Sequence, residues 1–485
     1  MEKTDLKPAA VFRYFEAVCS VPRPSKKEGK IRAFLINFAR EHGLEYKTDE
    51  AGNVLIRKDA TPGMEKCQTV VLQSHMDMVC EKNKDTRHDF DTDPIRTYID
   101  GEWLKAEGTT LGADNGIGVA TELAVLAADD IQHGPLECLF TVDEETGLTG
   151  AFALQEGFMG GDVLINLDSE DEGELFIGCA GGARTSAEFP FPVVEAPEGS
   201  FFFRITVKGL TGGHSGDDIN KGRANANKLL NRFLTALAQK YDLRLCEIDG
   251  GNLHNAIPRE AYAVCAVPMK YKEAVRVDLN VFLAEVEQEY AVTEPALVLD
   301  VESEAPRPKV MEPEAMKRFL LAVYAVHNGV YAMSQEMPGL VETSSNLASV
   351  KMQEDKIVVV TSQRSSVLSS RQDMSQMVRA AFELGGAVTD TGDGYPGWKP
   401  NPSSPILRIA VESYRRLFGV EPKVKAIHAG LECGLFLEKY PSLDMVSFGP
   451  TLRGVHSPDE RMLIPTVDKF WRHLLDVLAH IPAKA

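Results

Sequence analysis

Five places in the 485-residue chain put a histidine or a carboxylate directly after a short apolar run or at the head of an apolar helix. Val70-Val71-Leu72-Gln73-Ser74 leads into His75-Met76-Asp77. Alternate residues of an extended segment share a side, so His75 and Asp77 can act together. Such a carboxylate is what fixes the tautomer of a metal-bound imidazole, although His-x-Asp alone equally describes a structural pair. Leu111-Gly112-Ala113-Asp114-Asn115-Gly116 runs into an apolar helix over 119–127, where Asp114 could also be a simple N-cap. Asp143-Glu144-Glu145 follows the run 136–142. Three adjoining carboxylates at the mouth of a buried strand repel one another unless a cation offsets them; the alternative is a solvated acidic loop. Asp168 closes the run 163–167, and His456 lies in the loop after Met445-Val446-Ser447-Phe448-Gly449-Pro450.

Imidazole and carboxylate without cysteine suit a catalytic zinc, manganese or cobalt site, because structural zinc favours sulfur and a closed shell. Charge balance points to two ions. Asp114, Glu145 and Asp168 supply three negative charges, a bridging hydroxide a fourth, and a neutral cluster of that kind avoids a large desolvation penalty in a cleft.

Such residues need a sheet whose strands all deliver them to one end, since ligands of open α/β sheets collect at the carboxyl ends of strands. The first part of the chain alternates helical spacing (11–19, 30–41) with short apolar runs (69–72, 136–142, 163–167), the pattern of a parallel sheet covered by helices. Around 190–200 the sequence turns rich in Pro and Glu. Beyond it, strand, helix and strand patterns occur twice: 201–208, 224–239 and 261–268, then 297–302, 311–326 and 356–362. The turn-rich stretch 390–405 reads as a return linker, after which 406–417 is helical and 444–448 a strand. The expected fold is therefore an α/β catalytic domain with a central, mostly parallel sheet, plus an inserted α+β domain built as two units or one doubled unit. The catalytic domain spans 1–188 and 393–485, and the insert 189–392.

Composition narrows the partners. With 52 Lys and Arg against 71 Asp and Glu, a formal net charge of -19 disfavours nucleic acid and anionic membranes. The charged start Met-Glu-Lys-Thr-Asp does not read as a signal peptide, and no apolar run is long enough to span a bilayer. Eight scattered cysteines without paired spacing fit reduced thiols, so the expected location is the cytoplasm.

As an ordered set, His75-x-Asp77, Gly112-Ala113-Asp114, Glu144-Glu145, Asp168 and the late His456 resemble the M20 metallopeptidases and, over the whole length, their aminoacyl-histidine dipeptidase branch. The likeness extends to Gly212-Gly213-His214-Ser215-Gly216 and to Asn252-Leu253-His254-Asn255-Ala256-Ile257-Pro258-Arg259. The resemblance implies two divalent ions, zinc foremost with cobalt or manganese as alternatives, bridged by Asp114. His75 and Asp168 would complete one ion, and Glu145 and His456 the other. Asp77 would support His75, and Glu144 would be the general base. The insert would be a lid in which His214 holds an oxyanion and Asn255 and Arg364 grip the substrate, with Arg371 a competitor for that role. A free carboxylate is well matched by a planar guanidinium. Glu432 would hold the amino terminus. The family's dipeptidases and aminopeptidase-like members carry Asp where this chain has Asp168. The implied activity is hydrolysis of dipeptides with a broad choice of N-terminal residue, Xaa-His and carnosine-like substrates included, by a homodimer joined through the lid. The alternatives are an N-acyl amino acid deacylase on the same metals and a catalytically silent binding relative.

Overall fold

The computed structural model describes residues 3–484 and resolves into two compact units. Unit one comprises Met1–Gly178, Pro400–Ala426 and Leu431–Ala485; unit two comprises Cys179–Lys399 and Ile427–Gly430.

Unit one is organised by an eight-stranded sheet in the order Glu45–Thr48, Val54–Lys58, Leu136–Thr141, Val70–His75, Val163–Asn166, Asp444–Ser447, Glu174–Cys179, Lys423–Ile427. Its four central strands, from Leu136–Thr141 to Asp444–Ser447, are mutually parallel. Every residue of Val70–His75, Leu136–Thr141 and Val163–Asn166 is buried, as strands covered on both faces require. Helix Ala9–Cys19 buries Val11, Phe12, Phe15, Val18 and Cys19 on one stripe. Phe12 and Phe15 share a core cluster with Ile117, Ala120 and Ala124 of helix Ala113–Ala127. A smaller antiparallel sheet holds Leu452–Arg453, Arg461–Leu463, Trp103–Ala106 and Thr97–Asp100.

Unit two carries a nine-stranded sheet in which Arg244–Gly250 joins Val341–Met352 through only two residue pairs, Asp249 with Lys351 and Gly250 with Val350. That seam links two antiparallel halves into one continuous, doubled sheet. The composition of the halves departs from the sequence pattern. Val298–Ser303, expected to open the second repeat, pairs instead with Ser200–Lys208 on the edge of the first half. The second half is built from Val341–Met352, Lys356–Ser365, Gly181–Pro190 and Val388–Thr391, with Gly329–Met333 pairing to Val341–Met352 beside them. Gly181–Pro190 runs across the expected boundary at 188/189, because its ten residues pair with Lys356–Ser365 in full register. Phe189, Phe319 and Phe382 pack edge to face in the core under this half.

None of the eight cysteines is joined in a disulfide. Among the described residues, no helix is long and apolar enough to cross a membrane.

Candidate metal centre

The four parallel strands of unit one deliver their carboxyl ends to one place. Val70–His75 ends in His75 itself, Leu136–Thr141 continues to Glu144 and Glu145, and Val163–Asn166 continues to Asp168. After Asp444–Ser447 the chain enters the hairpin between Leu452–Arg453 and Arg461–Leu463, which carries His456. Asp114 arrives from the turn that opens helix Ala113–Ala127.

Two clusters result, sharing one carboxylate. His75 Nε2 lies 3.0 Å from Asp114 Oδ1 and 3.4 Å from Asp168 Oδ1. His456 Nε2 lies 3.1 Å from Asp114 Oδ2 and 3.0 Å from Glu145 Oε2. Asp114 thus turns one oxygen to each histidine. His75 Nδ1 lies 3.3 Å from Asp77 Oδ1, and both side chains are essentially inaccessible.

The electrostatics are those of a site short of positive charge. Burial opposes the charged form of His75, but Asp168, Asp114 and Asp77 outweigh it and hold its pKa well above the usual imidazole range. Contacts with Asp114 and Glu145 push His456 up to about 11. Burial raises Asp168 to about 7 against the pull of His75. Burial, then the charges of Asp168, Glu432 and Glu145, carry Glu144 well above the carboxylate range, with His75 opposing. Desolvation opposes the ionised form of the partly buried Asp114 too, yet its contacts with His456 and His75 drive it far below that range. The donor set fits two divalent cations: nitrogen and oxygen atoms of His75, Asp114 and Glu145 converge within 4.8 Å, and Glu145 Oε1 is buried with no hydrogen-bond partner. Carboxylate and imidazole donors of this kind suit zinc, manganese or cobalt.

Residues 71–480 match peptidase family M20/M25/M40. The chain belongs to that family. It is 45% identical to the cytosol non-specific dipeptidase of Escherichia coli (strain K12) over 483 residues, covering 100% of both chains. Its fold superposes on the aminoacylhistidine dipeptidase of Vibrio alginolyticus with a TM-score of 0.93 at 47% identity, covering 100% of this chain and 99% of that one. An aminopeptidase PepT from Bacillus cereus shares the fold at a TM-score of 0.62 and 16% identity, over 98% and 99% of the two chains.

In this M20 chain, Asp77 and Asp143 are joined by several residues that pattern alone did not mark, Arg23 and Glu460 among them, in holding the cluster in shape. Asp77 accepts hydrogen bonds from the amides of Glu144 (3.1 Å) and Glu145 (3.3 Å) and from Ser25 Oγ (2.8 Å). One carboxylate therefore orients His75 and also fixes the turn bearing Glu144 and Glu145. Arg23, 2% exposed, donates to the carbonyls of Asp77 (2.7 Å), Met76 (3.3 Å) and Gly112. Glu460 accepts from the amides of Leu111 (2.8 Å), Gly112 (2.9 Å), Ala113 (2.8 Å) and Asp114 (3.3 Å). Burial and the nearby Asp114 push Glu460 up to about 7, yet four converging N–H donors occupy both oxygens, so the ionised form is the one this turn holds. Its place four residues after His456 was the one available signal. Asp143 adopts a left-handed φ of 49° and accepts hydrogen bonds from the hydroxyls of Thr146 and Thr149.

Glu432 is 2% exposed. One of its oxygens accepts from Gln73 Nε2 (2.7 Å) and Thr141 Oγ1 (2.9 Å), and the other is buried without a partner. Burial lifts its pKa to about 7, with the Asp168 charge adding to the rise.

The remaining candidates belong to unit two. His214 pairs with Ala256 in a two-residue ladder, and its Nδ1 accepts from the amides of Gly216 (3.3 Å) and Asp217 (3.2 Å). Its Nε2 lies 3.3 Å from the Arg364 guanidinium. Arg364 also donates to Tyr395 Oη (3.1 Å) and Ser215 Oγ (3.4 Å). Arg371 is occupied differently: it is 6% exposed and donates to the backbone carbonyls of Gly182, Tyr395 and Asp393. Its role in the structure is to tie the 393–395 loop to strand Gly181–Pro190. Asn255 is exposed, and its carbonyl accepts from the Ser215 amide (2.8 Å).

Proposed function

We propose that this chain is a dinuclear metallo-dipeptidase in which His75 and Asp168 hold one ion, Glu145 and His456 the other, and Asp114 both. The observation that carries this reading is the division of Asp114: Oδ1 faces His75 and Oδ2 faces His456, so one carboxylate joins two sets of donors. Zinc is the proposed metal, and dipeptides with a free amino group, Xaa-His and carnosine-like ones included, are the proposed substrates. The near-identity in length and the 45% identity to a dipeptidase support that class.

When bound, the two ions polarise the scissile carbonyl and acidify water. The chain's own residues do the rest. Glu144, beside the ligand Glu145, takes the proton from the attacking water and delivers it to the leaving amine. Asp77 keeps the His75 imidazole in one tautomer and orientation, and through the amides of Glu144 and Glu145 it fixes the base relative to the ligands. In unit two, Arg364 is the proposed holder of the substrate's carboxylate, supported by its contacts to the side chains of Tyr395 and Ser215, whereas Arg371 is bound to the backbone carbonyls of Gly182, Tyr395 and Asp393. His214 is proposed to steady the oxyanion, Asn255 to contact the substrate and Glu432 to receive its amino group. The proposed assembly is a homodimer and the proposed location the cytoplasm.

The test is hydrolysis of carnosine, Ala-His and Gly-Leu by the purified protein with zinc, with chelator, and as Glu144→Ala. Chelator-sensitive cleavage that disappears in the variant while two zinc ions remain bound is the expected result. Preference for N-acetylated over free dipeptides would replace this reading with a deacylase. Tight dipeptide binding without turnover by the zinc-loaded protein would replace it with a silent binding relative.

A further inference from the structure

Beside Arg364, unit two contains a second guanidinium that no contact accounts for. Strands Gly181–Pro190 and Lys356–Ser365 pair antiparallel, with Arg184 opposite Ser362 and Gly182 opposite Arg364. Arg184 and Arg364 are therefore diagonal neighbours on one face of the sheet, a placement with side-chain origins about 7–8 Å apart. Two like charges so placed repel. Arg364 is held by Tyr395, Ser215 and His214, whereas the Arg184 guanidinium makes no hydrogen bond or ion pair among the described residues. Both arginines line a cavity of about 420 Å3, together with His254, Ser362, Tyr395 and Asp390. Asp390 is the only acid among the lining residues and makes no ion pair with Arg184, so the cavity carries an excess of positive charge. Burial first, then the nearby charges of Arg184 and Arg364, hold His254 below its ordinary pKa, so at neutral pH it offers a neutral imidazole and not a third cation. Glycine at 182 keeps the space open: a Cβ there would lie 2.7 Å from the Tyr395 ring.

We propose that Arg184 is a specificity-determining residue that binds the side-chain carboxylate of dipeptides ending in aspartate or glutamate, while Arg364 holds the main-chain carboxylate. The inference rests on the reading of Arg364 given above. The chemistry is direct. The two carboxylates of a C-terminal aspartate hang from adjacent carbons, a spacing that two guanidiniums on flexible three-carbon arms can span. Each pairing is a charge-assisted hydrogen bond of the stronger kind. A C-terminal aspartate or glutamate places a carboxylate beside each arginine, whereas a neutral C-terminal residue supplies one to Arg364 alone.

The decisive experiment compares Ala-Asp with its neutral isostere Ala-Asn, by calorimetric titration into the zinc-loaded, full-length Glu144→Ala protein with and without Arg184→Gln. In the parent, Ala-Asp should bind about tenfold or more tightly than Ala-Asn. In Arg184→Gln the ratio should fall to near one, and Arg184→Lys should retain part of it. Equal affinities in the parent, a ratio that survives Arg184→Gln, or no binding of Ala-Asp at all would each overturn the proposal. Arg364→Gln separates the two readings. If it leaves both affinities intact while Arg184→Gln still abolishes the ratio, the assignment of Arg364 fails and that of Arg184 stands. Thermal midpoints of the variants within a degree or so of the parent's show that the ratio reports the cavity and not the fold; an exposed arginine without contacts predicts that outcome.

Discussion

Replacing Glu460 with glutamine should loosen the turn that presents Asp114 without touching any proposed ligand. The carboxylate receives four backbone amides, Leu111 and Gly112 on one oxygen and Ala113 and Asp114 on the other. Glutamine keeps one carbonyl oxygen and turns an NH2 group toward the other two amides, so two acceptor contacts are lost and donors face donors. A hydrogen bond to a charged group contributes about 1.5–3 kcal/mol. Losing two of them should cost about 3 kcal/mol at the low end, because neighbouring contacts are not additive. Local opening should then rise by about two orders of magnitude, at about 1.4 kcal/mol per tenfold. Amide hydrogen exchange read by mass spectrometry over the peptide 108–118 measures this directly, first without metal and then with zinc. Two of the four amides should exchange about a hundredfold faster in the metal-free variant, and zinc affinity should fall with them. Unchanged exchange over 108–118 would refute the claim that Glu460 positions Asp114.

Two further outcomes follow from the same geometry. Asp77→Ala should weaken zinc binding by about 10–100-fold, the usual cost of removing the partner of a metal-bound histidine, and should also deprotect the amides of Glu144 and Glu145; zinc competition titration and hydrogen exchange check the two effects separately. His473, 3% exposed and donating to the Ala410 carbonyl (2.8 Å), is held down to about 4 by burial, whereas in the unfolded chain it titrates near 6.5. The unfolded state therefore takes up the proton first, so this histidine's contribution is present above pH ~6.5 and is lost as pH falls toward 4, a swing of about 3 kcal/mol. His473→Phe should flatten the acid side of the urea-unfolding profile by that amount; an unchanged profile would mean that His473 is not the residue that titrates.

How much of this was legible in the sequence differs between the two units for a physical reason. The strands ending at His75, at Thr141 and at Asn166 are buried on both faces and so read as unbroken apolar runs. Polar residues just past such runs stand out, which is why His75, Glu145 and Asp168 could be picked singly, whereas Asp114 at a helix head and His456 in a hairpin loop carried a weaker signal. Strand Gly181–Pro190 gave no such signal, because it begins with two glycines and its burial alternates along its length. The second-half strand Val341–Met352 is also cryptic, since Thr343, Ser344, Ser345 and Asn346 are buried polar residues. Val298–Ser303 was recognised as a strand, but local spacing carries no information about which distant strand it will pair with. The residues that brace the cluster were hidden for a related reason. Arg23 and Glu460 act on backbone groups far away in the chain, and a contact to a carbonyl or an amide leaves no trace in the identity of its partner.

The central strand Asp444–Ser447 reaches the sheet from the far end of the chain: Ser447 bonds Ser169 across a separation of 278 residues, and His456 and Glu460 come later still. During synthesis, a growing chain therefore exposes His75, Asp114, Glu145 and Asp168 long before the residues that would complete and brace the second half of the proposed centre exist. N-terminal segments fold first as they emerge. Under the proposed assignment, a polypeptide that ends before this hairpin lacks the ligand His456 and the bracing carboxylate of Glu460. The centre as proposed is then complete only once strand Asp444–Ser447 and the hairpin bearing His456 have been made and docked.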